Sequence, residues 1–380
     1  MKVLIAGDYC DNARVSQVIK EKNYSALFGE VKDLISHYDF RLVNFEFPIV
    51  QEKGRPINKC GPVLKGQIKA IDAINYAGFN VCTLANNHIL DQGEECLLNT
   101  KRLLEGIGIK TVGAGSDLSD ASKVLYLDHD SERVAVINCC EHEFSIASNN
   151  RPGTNPLNVV AQYRAISDAK KKCDYVLVII HGGIEHYQYP TPRMVDLYRF
   201  FIDVGADAVI NHHQHCYCGY EVYKGKPIFY GLGNFLFDWE GKRHTLWNQG
   251  ILAGITFSKG VNPELSIIPF NQCNDTPSVS LMSDSEKEQF VEESERISQI
   301  IQDEFLLAQV FSMHIESLKK EYRLLIEPFN NRLTKGLFNR GLLPSVVSNE
   351  KLTKVYNYIN CESHQEVFLS VLKALLSENK

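Results

Sequence analysis

Short apolar runs and amphipathic stretches alternate through the first 270 or so residues of the chain. The apolar runs are typical of buried strands, at 2–6, 41–45, 80–84, 174–180 and 208–210. The 3.6-residue spacing of a helix recurs between them, at 24–38, 66–78, 93–107, 157–172 and 192–204. Further strands are predicted at 124–127, 133–138, 221–223, 227–230, 251–257 and 265–269. Strands that alternate with helices predict an α/β sandwich in which part of the sheet is parallel.

The pattern changes near residue 283, where a helical region begins. Ser283 followed by Glu286 is the signature of a helix N-terminus, and apolar residues then recur at helical spacing through 290–326. After Pro328, another helix is predicted over 362–377. We therefore divide the chain into an α/β domain at 1–275 and a helical extension at 283–380. Residues at helical spacing in this extension predict a buried stripe, made of Phe305, Leu306, Val310, Phe311, Tyr322 and Leu325.

The extension has two interpretations that the pattern leaves open. Its helices pack against the α/β domain or form a homo-oligomer contact, or they act as a lid or a docking module for a partner such as a synthase. The apolar stripe is compatible with each of these.

Charge narrows the range of partners. The chain of 380 residues has a formal net charge of −6, which argues against non-specific binding of nucleic acid or anionic membranes. It leaves anionic substrates open, because a bound divalent cation reverses the local field. We therefore expect no nucleic-acid partner and a small-molecule or polymer-precursor anionic substrate.

The first apolar run and the cysteines indicate in which compartment of the cell the protein is located. The first apolar run ends at Gly7, too early for the core of a secretory signal, and no run is long enough to span a membrane. The eleven cysteines include no C-x-x-C pair, so reduced thiols are favoured over a zinc–thiolate site. We expect a cytoplasmic protein without an integral membrane segment.

Polar residues follow the predicted strands one after another. Each alone has an ordinary explanation, such as a helix cap, a turn or a hydrogen-bonded core histidine. Together they lie where open α/β sheets place their sites, and carboxylate, amide and imidazole groups suit divalent ions such as Mn, Fe or Zn. The residues are Asp8, Asn44, Glu46, Asn87, His88, Asp91, His181, His213 and His215.

Six stretches of this chain resemble the CapA family of bacterial capsule and poly-γ-glutamate synthesis proteins. They are Gly7-Asp8, NFEFP at 44–48, ANNHILDQG at 85–93, HGGIEHYQYPTP at 181–192, GADAVINHHQH at 205–215 and KPIFYGLGNFLFD at 226–238. The resemblance implies the calcineurin-like metallophosphoesterase fold, a four-layer α/β/β/α sandwich, here with a C-terminal helical extension.

The resemblance also implies roles for individual residues. Two divalent ions are expected, with Asp8 and His215 on the first, Glu46 bridging, and Asn87, His181 and His213 on the second. His88 and Asp91 are the expected catalytic residues, and Cys10 stands where the wider superfamily often has a metal-binding histidine. Four further residues are expected to contact substrate, namely Asn44, Glu185, His186 and Asn234.

These roles imply a metal-dependent hydrolase that attacks a phosphoester with a hydroxide held by two metals, in capsule, polysaccharide or poly-γ-glutamate metabolism. Two alternatives stay open at this point. One is an amide or glutamyl-transfer reaction, and the other is a non-catalytic component of a surface-polymer synthesis assembly. Fold alone does not choose between them.

Overall fold

The computed structural model describes residues 1–329 and 331–360, together with Phe368, Leu372 and Leu376. Two short 3₁₀ helices lie at Glu240–Lys242 and Leu246–Asn248. The strands of the described residues are β1 (Lys2–Tyr9), β2 (Phe40–Phe45), β3 (Val81–Thr83), β4 (Lys110–Val112), β5 (Ala114–Gly115), β6 (Leu125–His129), β7 (Glu132–Cys140), β8 (Gly153–Thr154), β9 (Tyr175–His181), β10 (Ala208–His212), β11 (Tyr220–Tyr223), β12 (Lys226–Phe229), β13 (Asn234–Leu236), β14 (Gln249–Thr256), β15 (Glu264–Gln272) and β16 (Val279–Leu281). The helices are α1 (Ala13–Lys20), α2 (Ser25–Phe28), α3 (Val31–Ser36), α4 (Lys69–Ala77), α5 (Glu94–Gly106), α6 (Leu118–Ala121), α7 (Val159–Lys170), α8 (Pro192–Asp203), α9 (Asp284–Gln302), α10 (Glu304–Ile326), α11 (Arg332–Asn339) and α12 (Asn349–Asn360).

The first sheet has the order β16-β15-β14-β1-β2-β3-β4. Strands β1 to β4 are parallel, so their carboxyl ends meet at one edge. Strand β14 pairs antiparallel with the start of β1, and β13 takes its place as a parallel neighbour at the end of β1. In this register Asp8 lies beside Asn44 on one side and Asn234 on the other. The sheet therefore brings three polar residues together that are far apart in sequence.

The second sheet has the order β11-β12-β10-β9-β7-β6. Strands β7, β9, β10 and β12 are parallel, and His181 pairs with Cys140 on one side and with His212 on the other. The carboxyl ends of β7, β9 and β10 therefore also meet at one edge. The segment that follows β10 carries His213 and His215.

Alternating side chains of β1 show how the layers stack. Val3 and Ile5 belong to the apolar core that contains both faces of the second sheet and the helices α7, α8 and α9. Leu4 and Ala6 point the other way, into a second core that contains residues of α1 to α5. The order is helices, sheet, sheet, helices, so the α/β/β/α sandwich expected from the resemblance is confirmed.

The chain divides into two compact units, Met1–Ala308 and Gln309–Lys380. Helix α9 lies in the first unit, where Phe290, Ile297 and Ile301 are buried in the core of the second sheet. A capping box at Ser283 begins this helix, as predicted. The sequence interpretation assigned α9 to the extension, whereas the structure places it with the sandwich.

Helix α10 is separate from α9, and a single residue lies between them. Asp303 separates the two helices, and its carboxylate accepts the backbone N–H groups of Phe305 and Leu306 at 2.9 and 3.0 Å. Phe305 is 76% exposed and Leu325 is 78% exposed. Leu306 and Tyr322 are exposed as well, so the predicted buried stripe is wrong although all of its residues lie in α10.

The second unit contains the rest of α10 together with α11 and α12. The buried carboxylate of Glu327 accepts the backbone N–H of Val346 at 3.2 Å, and the rings of Phe329 and Phe338 pack 5.1 Å apart. The helix predicted over 362–377 lies almost wholly outside the described residues. No helix in the described part of the chain combines the length and apolar character needed to cross a bilayer.

Gly7 marks the closest approach between β1 and the turn before β13. A Cβ at this position would lie 1.8 Å from the backbone oxygen of Gly233, which is rigid backbone. We expect Gly7→Ala to destabilise the protein by roughly 1–3 kcal/mol, because the two strands must separate to accommodate a methyl group. Urea denaturation measures this. Gly106→Ala in helix α5 is the matched control, since a Cβ there meets nothing within 4 Å; equal stability of the two variants would contradict the prediction.

Candidate metal centre

Side chains from the carboxyl ends of both sheets meet in one buried cluster. The first sheet supplies Asp8 at the end of β1, Glu46 directly after β2 and Asn87 after β3. The second sheet supplies His181 at the end of β9 and two histidines from the turn after β10. Within the described residues, two groups of side chains are close enough to hold a metal ion, and both contain Glu46. The first group is Asp8, Glu46 and His215, and the second group is Glu46, His181 and His213.

The first group is built around the buried carboxylate of Asp8. Its Oδ1 accepts a hydrogen bond of 2.7 Å from Asn44 Nδ2, and its Oδ2 lies 3.4 Å from His215 Nδ1. Burial alone would raise the pKa of Asp8, but the contact with His215 and the charges of His181 and His212 outweigh it, so this pKa is lowered. The carboxylate is therefore anionic at neutral pH, as a metal ligand must be.

Glu46 joins the two groups and has no hydrogen-bond partner. It is fully buried, and both carboxylate oxygens lack a donor. Burial and the nearby charge of Asp8 raise the pKa of Glu46 well above its usual range. A buried carboxylate without a donor is costly, and a coordinated cation removes that cost. The orphaned oxygens therefore fit a bridging ligand of two cations.

The second group surrounds Nε2 of His181. This nitrogen lies 3.1 Å from His213 Nδ1, 3.0 Å from Asn87 Oδ1 and 3.4 Å from Glu46 Oε1. One ring nitrogen carries at most one hydrogen, so hydrogen bonding cannot satisfy all three neighbours. Ligand atoms bound to one ion at about 2.0–2.2 Å lie roughly 3–3.5 Å apart, which matches these spacings. We therefore add Asn87 to the second group as an oxygen donor.

The strained backbone of His213 and His215 fits a ligand role, and so does the neutral form of His181 and His213. His213 and His215 have φ values of 97° and 55°, in the left-handed region that residues other than glycine seldom adopt. Such strain concentrates at functional sites. Burial lowers the pKa of His181, and the charge of His213 adds to this effect; burial likewise lowers the pKa of His213. Both rings are therefore neutral at pH 7, the form in which imidazole binds metals.

His88 lies beside the centre in a network of its own. Its Nδ1 is 2.6 Å from Asp91 Oδ2, and Lys59 Nζ donates to Asp91 Oδ1 at 2.8 Å. The backbone N–H of Leu64 also donates to Asp91, at 2.7 Å. Because Nδ1 of His88 is bound to Asp91, Nε2 is the ring nitrogen left for chemistry. Burial lowers the pKa of His88, so the ring is neutral at pH 7.

Two residues predicted to contact substrate lie behind the ligands instead. Asn44 is 1% exposed; besides binding Asp8, its Nδ2 lies 3.2 Å from His181 Nδ1 and its Oδ1 accepts from Asn86. Asn234 is fully buried, with its Oδ1 2.8 Å from His215 Nδ1 and its Nδ2 donating to two backbone oxygens. Both amides are occupied and inaccessible, so their geometry favours orienting the ligands over contacting substrate.

The other two predicted substrate contacts lie on the open side of the cluster. Glu185 and His186 are exposed, and the His186 ring centre is 6.3 Å from that of His215. His186 Nε2 lies 3.3 Å from Lys242 Nζ, and the Trp247 ring packs against His215 with a centroid distance of 4.6 Å. This side therefore carries a carboxylate, an imidazole and an ammonium group as well as an aromatic ring.

Sequence reasoning missed three residues around the centre. Lys59 comes from the long segment between β2 and α4, and Glu143 from the segment after β7, so neither follows a strand directly. His212 is buried with its Nδ1 3.6 Å from Asp8 Oδ1, and both ring nitrogens lack a hydrogen-bond partner. In the sequence, only the position of His212 in the histidine-rich run at 211–215 indicated that it lies near the centre. Cys10 is fully buried and belongs to neither ligand group.

Comparison with known proteins gives one family match. Residues 2–239 match the family described as "Bacterial capsule synthesis protein PGA_cap". The "Capsule biosynthesis protein CapA" of Bacillus anthracis is 30% identical over 246 residues, which cover 63% of this chain and 60% of that protein. A "Probable polyglutamine synthesis accessory protein" of Mycobacterium tuberculosis is 35% identical over 175 residues, covering 43% of this chain and 46% of the other. The chain thus spans about half to three fifths of these relatives' length.

Among solved structures, a "Putative 5'-Nucleotidase" from Staphylococcus aureus is similar at a TM-score of 0.45 with 14% sequence identity. The match covers 78% of this chain and 58% of the nucleotidase.

Proposed function

Because the chain belongs to the PGA_cap family of bacterial capsule synthesis proteins, we propose that it is a metal-dependent hydrolase of a phosphoester in capsule, polysaccharide or poly-γ-glutamate metabolism. The observation that carries the proposal is Glu46, a buried carboxylate without donors that two ligand groups share. Two nearby ions that share a carboxylate are typical of centres that hydrolyse phosphoesters. When bound, the ions supply Lewis-acid activation of water and neutralise charge on the phosphoryl oxygens.

We assign cation binding, proton transfer and substrate contact to different side chains of this chain. Asp8, His215 and the second-group residues would hold the two cations, for which Mn, Fe or Zn are compatible with oxygen and imidazole donors. His88 presents Nε2 because Asp91 binds Nδ1, and this nitrogen carries a proton between water and the leaving oxygen. Glu185 and His186 lie at the open side, where they are placed to contact substrate.

The assay that tests the proposal uses metal-stripped protein refilled with Mn²⁺. Hydrolysis of chromogenic phosphomonoesters and phosphodiesters is measured before and after refilling. Turnover that appears only with metal supports the proposal. Absence of turnover on both ester types, with two ions bound per chain, would contradict it.

His88→Ala separates proton transfer from metal binding. We expect its turnover to fall by about 10²–10⁴-fold while both ions stay bound, because His88 belongs to neither ligand group. Asp91→Asn should lower turnover less than His88→Ala, since an amide still contacts Nδ1 without its charge. Steady-state kinetics and metal content measured on the same samples test this. Loss of metal from His88→Ala would place the ring among the ligands instead.

A second candidate is a role in assembly rather than catalysis. The name of the Mycobacterium tuberculosis relative describes an accessory protein of polymer synthesis, and the helical region carries exposed apolar side chains such as Leu325 and Leu333. These side chains suit contact with a synthase. Polymer production in cells that carry only the His88→Ala variant distinguishes the candidates. Normal production would favour assembly, and its loss would favour catalysis.

A further inference from the structure

The carboxylate of Glu143 reaches two members of the second ligand group at once. Its Oε2 accepts a hydrogen bond of 2.9 Å from Asn87 Nδ2, and its Oε1 lies 3.5 Å from His213 Nε2. Glu143 lies in the segment after β7, and its side chain is 37% exposed. It therefore approaches the ligands from outside, whereas Glu46 approaches from within the core.

The contact with Asn87 fixes which end of the amide faces the centre. An asparagine side chain presents either an oxygen or an NH₂ group, and only the oxygen binds a cation. Since Nδ2 donates to Glu143, Oδ1 is directed towards His181 Nε2, 3.0 Å away. A reversed amide would place two donors against the cation and an oxygen against a carboxylate.

The contact with His213 has the same effect on the ring. Its Nδ1 faces His181, so Nδ1 is the nitrogen available to a cation, and a ring that binds a cation through Nδ1 carries its hydrogen on Nε2. A carboxylate near Nε2 favours this tautomer and makes the ring a stronger ligand. One side chain thus sets the orientation of an amide and an imidazole that come from different sheets.

We infer that Glu143 is a positioning residue that orients Asn87 and His213 towards the second metal ion. The inference rests on the metal centre of the proposed function and goes beyond it by naming a residue that governs one ion and not the other. Glu143 does not contact Asp8 or His215, so the first ion does not depend on it. Its neighbour Phe144 packs against Lys59, with Nζ 4.9 Å from the ring centre, which anchors the segment near the site.

The experiment measures stepwise Mn²⁺ binding to the metal-stripped full-length chain by competition with a chelating dye, which requires no turnover. We expect Glu143→Ala to weaken the second binding step by about 10–100-fold and to leave the first within about twofold. Glu143→Gln should lose less, because its amide oxygen still accepts one hydrogen bond. Glu141→Gln is the matched control: it removes a charge two residues away, and its partners are Gly183 and Arg193 rather than a ligand.

A second readout tests orientation directly in the metal-free protein. Nitrogen-15 NMR of histidine-labelled protein should show His213 with hydrogen on Nε2 in the wild type and a mixture of tautomers in Glu143→Ala. Equal weakening of both binding steps, or no weakening, would overturn the inference. So would a wild-type chain that binds one ion only. If two ions bind and Glu143→Ala behaves as expected while no ester is hydrolysed, the orienting role stands and the proposed reaction fails.

Discussion

His213→Ala is expected to lower metal-dependent hydrolysis by about 10³-fold or more. His213 Nδ1 lies 3.1 Å from His181 Nε2 in the second ligand group, so its loss removes one of the donors of that group. The second ion then binds poorly and its stabilisation of charge in the transition state is lost. That stabilisation amounts to several kcal/mol, and each 1.4 kcal/mol changes the rate about tenfold.

Initial rates with Mn²⁺ at saturating substrate measure this effect. Excess metal should restore part of the activity, because the other donors of the group are intact. His129→Ala is a suitable control, since this histidine is partly exposed and lies at the end of β6, outside both ligand groups. Full activity of His213→Ala with only one ion bound would contradict a reaction that needs both.

Glu46→Gln is expected to change stability in opposite directions with and without metal. In the metal-free protein the pKa of Glu46 is raised by burial, so the folded state holds this proton at pH values where the unfolded chain has lost it. The wild type therefore loses stability as pH rises from about 4.3, the unfolded value, to the raised folded value. Glutamine does not ionise and so does not lose stability in this way. Metal-free Glu46→Gln should therefore be more stable than the metal-free wild type at pH 7 by roughly 1–3 kcal/mol.

With Mn²⁺ bound, the same substitution should be destabilising, because a neutral amide is a weaker bridge between two cations. Urea denaturation of wild type and variant at pH 4, 5.5 and 7, each with and without metal, measures both effects. The advantage of the metal-free variant should vanish at pH 4, where Glu46 is protonated in both states. An advantage that is equal at all three pH values would show that packing and not ionisation causes it. Glu95→Gln, an exposed helix position, serves as the control.

Most strands were predictable because their apolar runs are continuous and end at polar residues. The strand at 174–180 was predicted almost to the residue and is observed as Tyr175–His181. The first strand was predicted to stop before Gly7, yet it continues to Tyr9, because pairing with β2 and β13 supports residues of low strand propensity. The helix predicted over 24–38 is two short helices, since Gly29 with a φ of 43° turns the chain between them.

The candidate ligands were predictable for a related reason. They follow strands that end at the same edge, and their order along the chain matches a known family. Lys59 and Glu143 were not predictable, because long segments without a repeating pattern carry them to the site. Asn44 and Asn234 were recognised, but a sequence motif does not show whether an amide faces substrate or the neighbouring ligand, and the structure buries both beside ligands.

The division of ligands between the sheets would make two bound ions a link between two layers of the protein. Asp8, Glu46 and Asn87 belong to one sheet, and the three histidines belong to the other. Each ion present at about 100 times its dissociation constant holds the layers together with about 2.7 kcal/mol. Removal of the ions by a chelator should therefore weaken the contact between the two sheets as well as remove the cofactor. In metal-poor conditions, a protease should first gain access at the face where the sheets pack.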